Sequence, residues 1–241
     1  MNIVTVVNSQ YMPFAEIFFK SLVKLSDYKR INKVYIIDTG LGKPDVKLLS
    51  SICDKIVLCD TKTFLPFADM HTADWRKIVS MKLSSVSRLT KIMDNIFPLC
   101  IIDIDSYFNS NFIDVVDIKS DVSVCKRDQP TVNQDNYVLT HIGSFFSVNT
   151  AKALRFLDRW MKEMEALEGD HIETPALCNV LRVPEKQGGL NIHHIDQNII
   201  SAINYTDECR IFHLKSDGPG SGSTISYRIN KLNNHVNVDT I

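Results

Sequence analysis

LCIIDIDSYF, residues 99–108, is the stretch on which the fold turns. Leu99 to Ile104 is the most continuously apolar run in the chain, and it predicts a strand buried on both faces, as in the middle of a parallel sheet. Two acids, Asp103 and Asp105, stand at its carboxyl end with only Ile104 between them. Open α/β sheets bind ligands beyond that end of their strands. Residues two apart on a strand point to the same side, so the two carboxylates repel unless a cation lies between them. Hard divalent ions such as Mg²⁺ or Mn²⁺ take oxygen ligands and bridge carboxylates to phosphates. Asp103 and Asp105 are therefore candidate metal ligands.

Working outward from this strand, the chain alternates strand and helix. Ile3 to Val7, Val34 to Ile37 and Ile56 to Leu58 read as short strands. Between them, the stretch after Pro13 carries Phe14, Ile17, Phe18, Ser21, Leu22 and Leu25 at helical spacing, and Asp45 to Ile52 is a second helix. This order opens a doubly wound α/β fold with a mainly parallel central sheet flanked by helices. A long helix over Trp75 to Met93 leads into the acidic strand. Val122 to Val124 and Ser144 to Val148 are further strands, and Thr150 is the N-cap expected for an amphipathic helix reaching Met164. A short helix is expected over Asp196 to Ile203, and SDGPGSGS (216–223) reads as a flexible loop. No repeat or linker divides residues 1–241, so one domain is expected, with 1–108 as a nucleotide-binding half and 109–241 as an acceptor and sugar half.

Composition narrows the function. With 27 basic against 28 acidic residues there is no global field for nucleic acid, and no basic stripe interleaved with aromatics. Hydrophobic content of 44% and charged content of 23% place the chain among globular proteins rather than disordered ones. The six cysteines lack metal-ribbon spacing and read as reduced thiols of a cytoplasmic protein. No apolar run approaches the ~20 residues that cross a bilayer, which leaves only peripheral contact with a membrane open.

With the acidic pair at this place, the chain resembles metal-dependent nucleotide-sugar glycosyltransferases of the GT-A type, in particular the retaining glycogenin and galactosyltransferase-like enzymes. VVNSQYMPFAEIFFKSL resembles their opening, which implies that Asn8 and Tyr11 contact the base, an aromatic face stacking on it. KLSSVSRL (82–89) is similar to the segment whose Lys reaches the donor, so Lys82 matches, with Arg76 and Lys77 as weaker candidates. HIGSFFSVN (141–149) resembles the asparagine-x-glycine turn that approaches the sugar, placing Gly143 there, although His141 stands where that family has Asn. DQNII (196–200) matches an Asp-Gln pair beside the anomeric carbon, which implies catalytic roles for Asp196 and Gln197. FHLKSDGPG (212–220) resembles a late element in which His213 completes the metal site and Lys215 neutralises the diphosphate, with compressed spacing and no terminal Pro-Trp.

The resemblance implies transfer from a nucleoside-diphosphate sugar, with UDP the expected carrier, to a glycan, glycolipid or similar hydroxyl acceptor, with Mn²⁺ or Mg²⁺ as cofactor. Three other readings stay open. One is a non-catalytic sugar-nucleotide or glycan-binding module. Another is a haloacid-dehalogenase-like phosphatase, whose DxDx[T/V] motif has a phosphoryl-accepting Asp; that motif opens its domain, whereas three strands precede this one and Ser106 and Tyr107 follow. The third, nucleotidyl transfer, needs a glycine-rich loop after the first strand, where NSQYMPF has none.

Overall fold

The computed structural model describes residues 1–61, 73–93, 96–133, 135–169, 171–183, 189–201, 205–214 and 224–236. Lys215 and the expected 216–223 loop lie outside the described residues. Among the described residues ten strands form two sheets. β1 (Asn2–Val7), β2 (Val34–Asp38), β3 (Ile56–Asp60), β4 (Leu99–Ile102), β6 (Val122–Val132), β7 (Val138–Val148) and β8 (Ile192–Asp196) make a seven-stranded sheet in the order β3-β2-β1-β4-β7-β6-β8. Its ladders are parallel except those of β7 with β4 and with β6, so β7 alone runs against the rest. A small sheet of β5 (Ser106–Phe108), β10 (Ile211–His213) and β9 (Ile200–Ser201) stands beyond it.

Among the described residues six α-helices cover this frame: α1 (Met12–Leu25), α2 (Lys43–Ile52), α3 (Ala73–Ile92), α4 (Leu154–Ala166), α5 (Glu173–Arg182) and α6 (Ile225–Asn233). Proline in the first turn starts α1 and α2, where its missing N–H costs nothing. One apolar layer joins Phe18, Phe19, Phe108, Phe112 and Phe145 beneath α1. The other joins Leu83, Val86, Phe146, Phe156 and Trp160 beneath α3, α4 and α5. Ser21, inside α1, turns its hydroxyl to Ile17 O (2.7 Å) and accepts from Phe108 N (3.1 Å), tying the helix to the small sheet. All six cysteines are unpaired, five of them buried.

Several expectations are corrected. The acidic strand ends at Ile102, because Asp103 N donates to Ser144 O of β7 (3.0 Å) and the chain then leaves the large sheet for the small one. The short helix expected over Asp196 to Ile203 is not formed in its described part, 196–201: Asp196 closes β8, a turn follows, and Ile200–Ser201 form β9. Strands at 122–124 and 144–148 are the inner ends of a pair of eleven-residue strands; the outer half of β6 is largely polar and exposed, that of β7 largely buried. Thr150 does not cap its helix by its side chain; its hydroxyl donates to Asp121 Oδ1 (2.7 Å).

Trp160 shows how the second layer holds α4 to the sheet. It is fully buried, lies edge-on to Phe146 at 4.7 Å between centroids, and donates Nε1 to Glu173 O at 2.9 Å. Trp160→Ala leaves a large cavity and an unmet carbonyl, so it should lower unfolding free energy by about 3–5 kcal/mol. Chemical denaturation followed by circular dichroism checks this; a loss under about 1 kcal/mol would show that the layer does not depend on the ring.

Candidate active site

The junction between the two sheets gathers the charged groups. Asp103 and Asp105 sit on the crossing from β4 to β5, and Ile104 between them anchors the crossing in the core. Leu214 N donates to Asp105 O (2.7 Å), which brings the end of β10 alongside. His213, the last residue of β10, thereby places Nε2 3.0 Å from Asp105 Oδ1 and 3.8 Å from Asp103 Oδ2. One ligand atom from each of Asp103, Asp105 and His213 lies within 4.8 Å of the others, and all three residues are half-buried. Two carboxylates and an imidazole converging from separate strands are a donor set that fits a divalent ion such as Mn²⁺.

Cations of the chain itself flank this group. Arg228, on α6, ion-pairs with Asp105 Oδ2, donates Nε to Leu214 O, and lays its guanidinium over Phe14 at 4.5 Å. Burial would raise the Asp105 carboxyl, but His213 and Arg228 outweigh it and hold it well below the usual carboxylate range. On the other side Lys82, only 5% exposed, reaches Asp103 Oδ1 at 2.8 Å and ion-pairs with Glu173. Burial opposes the ammonium charge, yet Asp103 and Glu173 more than restore it and keep Lys82 protonated. Glu173 is pushed up to about 7, chiefly by burial, with Lys82 pulling against it.

The sequence did not single out Glu173 or Arg228. Glu173 opens α5, where a carboxylate also favours the helix dipole. An acid followed by Thr174 and Pro175, at the head of an apolar run, was the available signal. Gly143 is needed by this same element: a Cβ there would come 2.9 Å from Thr174 Oγ1, so the bare backbone of β7 lets the start of α5 approach.

Other expected residues fall elsewhere. Asn8, at the carboxyl end of β1, accepts from Gln10 N (2.9 Å) and Tyr11 N (3.2 Å) and so shapes the turn that presents Tyr11. Arg76 donates to the carbonyls of Met164, Leu167 and Gly169 at the end of α4, and Lys77 pairs with Asp74 at the surface. Asp196 is exposed on β8, bonded to Asn198 N, and Gln197 donates to Asp128 Oδ2 at 2.5 Å. Asp196 ends β8, three strands from β4 in the sheet order, and the chain that follows Gln197 enters β9, which pairs with β10, the strand that ends in His213.

A nucleotide-binding class of α/β sheet with an acid pair at its carboxyl edge is what this arrangement defines. The family model for nucleotide-diphospho-sugar transferases matches residues 62–217, more than half of the chain, and the protein belongs to that family. No curated protein matches it in sequence. Among solved structures it is similar to the galactosyltransferase LgtC in complex with donor and acceptor sugar analogs, with a TM-score of 0.61 and 12% identity over 98% of this chain and 96% of that one. It is also similar to the glycosyltransferase GlyE of Streptococcus pneumoniae, with a TM-score of 0.60 and 11% identity over 99% of this chain and 61% of that one. The bifunctional glycosyltransferase WbbM aligns with a TM-score of 0.58 and 9% identity, over 90% and 46%. At such identities the likeness speaks for the fold. None of the described helices is long and apolar enough to cross a membrane.

His141 is buried against His194, with Nε2 3.4 Å from His194 Nδ1. Burial first, then the charges of His194, Lys126 and Arg127, push it down to about 3 from 6.5. A base with a depressed folded pKa stabilises the fold above its unfolded pKa and loses that contribution as pH falls towards the folded value. The His141→Asn variant should therefore gain on the parent below pH 6.5, by about 2 kcal/mol at pH 5. Urea midpoints at pH 5 and pH 8 measure it, and a pH-independent difference would refute the buried neutral imidazole.

Proposed function

We propose that the protein transfers a glycosyl group from a nucleoside-diphosphate sugar, with UDP as carrier, to a hydroxyl of a glycan, glycolipid or similar acceptor, with the aid of Mn²⁺ or Mg²⁺. The observation that carries this is the convergence of Asp103, Asp105 and His213 at the junction of the two sheets. These three residues would hold the ion, which when bound supplies positive charge against the diphosphate as the glycosidic bond breaks. Asn8 and Tyr11, at the end of β1, are assigned to the base, so that residues 1–108 serve the nucleotide and 109–241 the sugar and acceptor. Lys215 is kept as a candidate for the diphosphate.

Lys82 and Glu173 are assigned to the reacting sugar. Lys82 steadies Asp103 from behind through its 2.8 Å contact, which orients that carboxylate without solvent competing for it. Glu173 places a carboxyl in the same buried triad. In a retaining reaction the positive charge that develops at the anomeric carbon needs an anionic or polar neighbour, and Glu173, Asp196 and Gln197 are the candidates for that task. Preorganised charge of this kind acts on the transition state more than on the ground state.

Two measurements test the assignment. Nucleoside diphosphate binding by isothermal titration should require Mn²⁺ or Mg²⁺, and Asp103→Asn or Asp105→Asn should weaken it about a hundredfold or more. Equal affinity with and without chelator would defeat the metal role. Glu173→Gln should lower turnover about a hundredfold while donor affinity stays within a few-fold. A parallel loss of both would mark Glu173 as a support for Lys82 only.

A further inference from the structure

The hairpin of β6 and β7 carries the large sheet past the end of β4. From Ser144, whose carbonyl accepts from Asp103 N, three residues along β7 lead to His141, about 10 Å at the rise of a strand. That separation is a sugar or so from the acid pair, on the same open edge of the sheet. Here Lys126 of β6 stands opposite both His141 of β7 and Asp196 of β8.

Arg127 follows and is 9% exposed, about nine-tenths buried. It donates Nε to His141 O at 3.1 Å, and no carboxylate among the described residues pairs with it. The acids nearest in sequence and register are committed elsewhere, Asp128 to Gln197 and Asp196 to Asn198 N. A buried guanidinium without a counter-ion is costly to keep, and it is kept where an anion arrives. His194 is exposed, with Nδ1 3.4 Å from His141 Nε2, so that His141 lies between it and Arg127; burial first, then His194, Lys126 and Arg127 depress the His141 pKa.

We propose that Arg127 and His141, with His194 against the His141 ring at the solvent side, form an anion-binding subsite that receives an acidic group, phosphate or carboxylate, carried by the acceptor. The inference rests on the transferase reading above and narrows it from any hydroxyl acceptor to an anionic one. Arg127 offers a planar fork of donors to paired oxygens, and His194 adds one further ring nitrogen at the solvent edge.

The test uses the full chain with its histidines labelled for nuclear magnetic resonance of the imidazole nitrogens. Inorganic phosphate, glucose 6-phosphate, glucuronate and glucose are titrated in turn without metal. Phosphate should give saturable shifts of the His141 and His194 signals. Glucose 6-phosphate and glucuronate should bind at least about tenfold more tightly than glucose, and glucose 6-phosphate more tightly than free phosphate. Arg127→Gln should weaken phosphate binding about tenfold, and so should His194→Gln, whose exposed position keeps folding out of the result. Absence of saturable shifts, or phosphate binding in either variant as tight as in the parent, overturns the subsite. Free phosphate binding as well as glucose 6-phosphate overturns its assignment to the acceptor. UDP with Mn²⁺ added to the same samples separates the two readings: if metal-dependent UDP binding is seen while phosphate leaves the rings unmoved, only the anion subsite falls. Loss of UDP binding itself would bring down the transferase reading.

Discussion

A lysine ammonium with almost no solvent of its own organises this molecule. Lys82 comes from α3, Asp103 from the crossing between the sheets and Glu173 from the head of α5, and the three share one buried ion cluster. Taking such a charge out of water costs several kcal/mol, recovered only if both carboxylates stay within hydrogen-bonding reach. Three elements far apart in sequence are thereby held to one geometry. Trp160 reinforces it from the apolar side by holding the Glu173 carbonyl, and Gly143 lets α5 come close enough for the carboxyl to arrive. The site is thus a consequence of how the second apolar layer packs.

The same geometry explains why the acids stand off the strand rather than on it. β4 ends at Ile102 and β5 begins at Ser106, so Asp103 and Asp105 occupy the short passage from one sheet to the other. In that passage each carboxylate meets a different cation: Asp103 faces Lys82 and Asp105 faces Arg228. His213 reaches both from β10, because the antiparallel pairing of β10 with β5 sets it opposite Ser106. A pair of acids adjacent in sequence is in this way given two unlike environments.

Much of this was legible before the structure. β-branched runs at Ile3–Val7 and Val34–Ile37 and the helical spacing from Phe14 to Leu25 carry strong periodic signals, and they fold as read. The Asp103–Asp105 pair and His213 could be found by residue type, and the structure brings them together. The element around Asp196 and Gln197 was read as a short helix and folds as a strand end and a turn: NIHHIDQNII lacks a clean period, and an edge strand with one exposed face leaves little in its sequence to separate it from a short helix. The outer half of β6 was missed because exposed strands need no apolar alternation. Glu173 and Arg228 were missed for another reason. Their significance lies in contacts 91 and 123 residues away, with Lys82 and Asp105, and no local pattern encodes such distances.

The Arg228–Asp105 contact has a bearing on how the chain reaches its native state. Small metal-dependent domains such as zinc fingers are unfolded until the ion arrives, because nothing else offsets the charge of their ligands. Here Arg228, Lys82 and His213 already stand against Asp103 and Asp105, so the repulsion between the two acids is answered by groups the chain carries with it. Folding then does not wait on an ion: the charges that offset the two acids come from the polypeptide itself, and it can complete its core on synthesis with side chains it already holds.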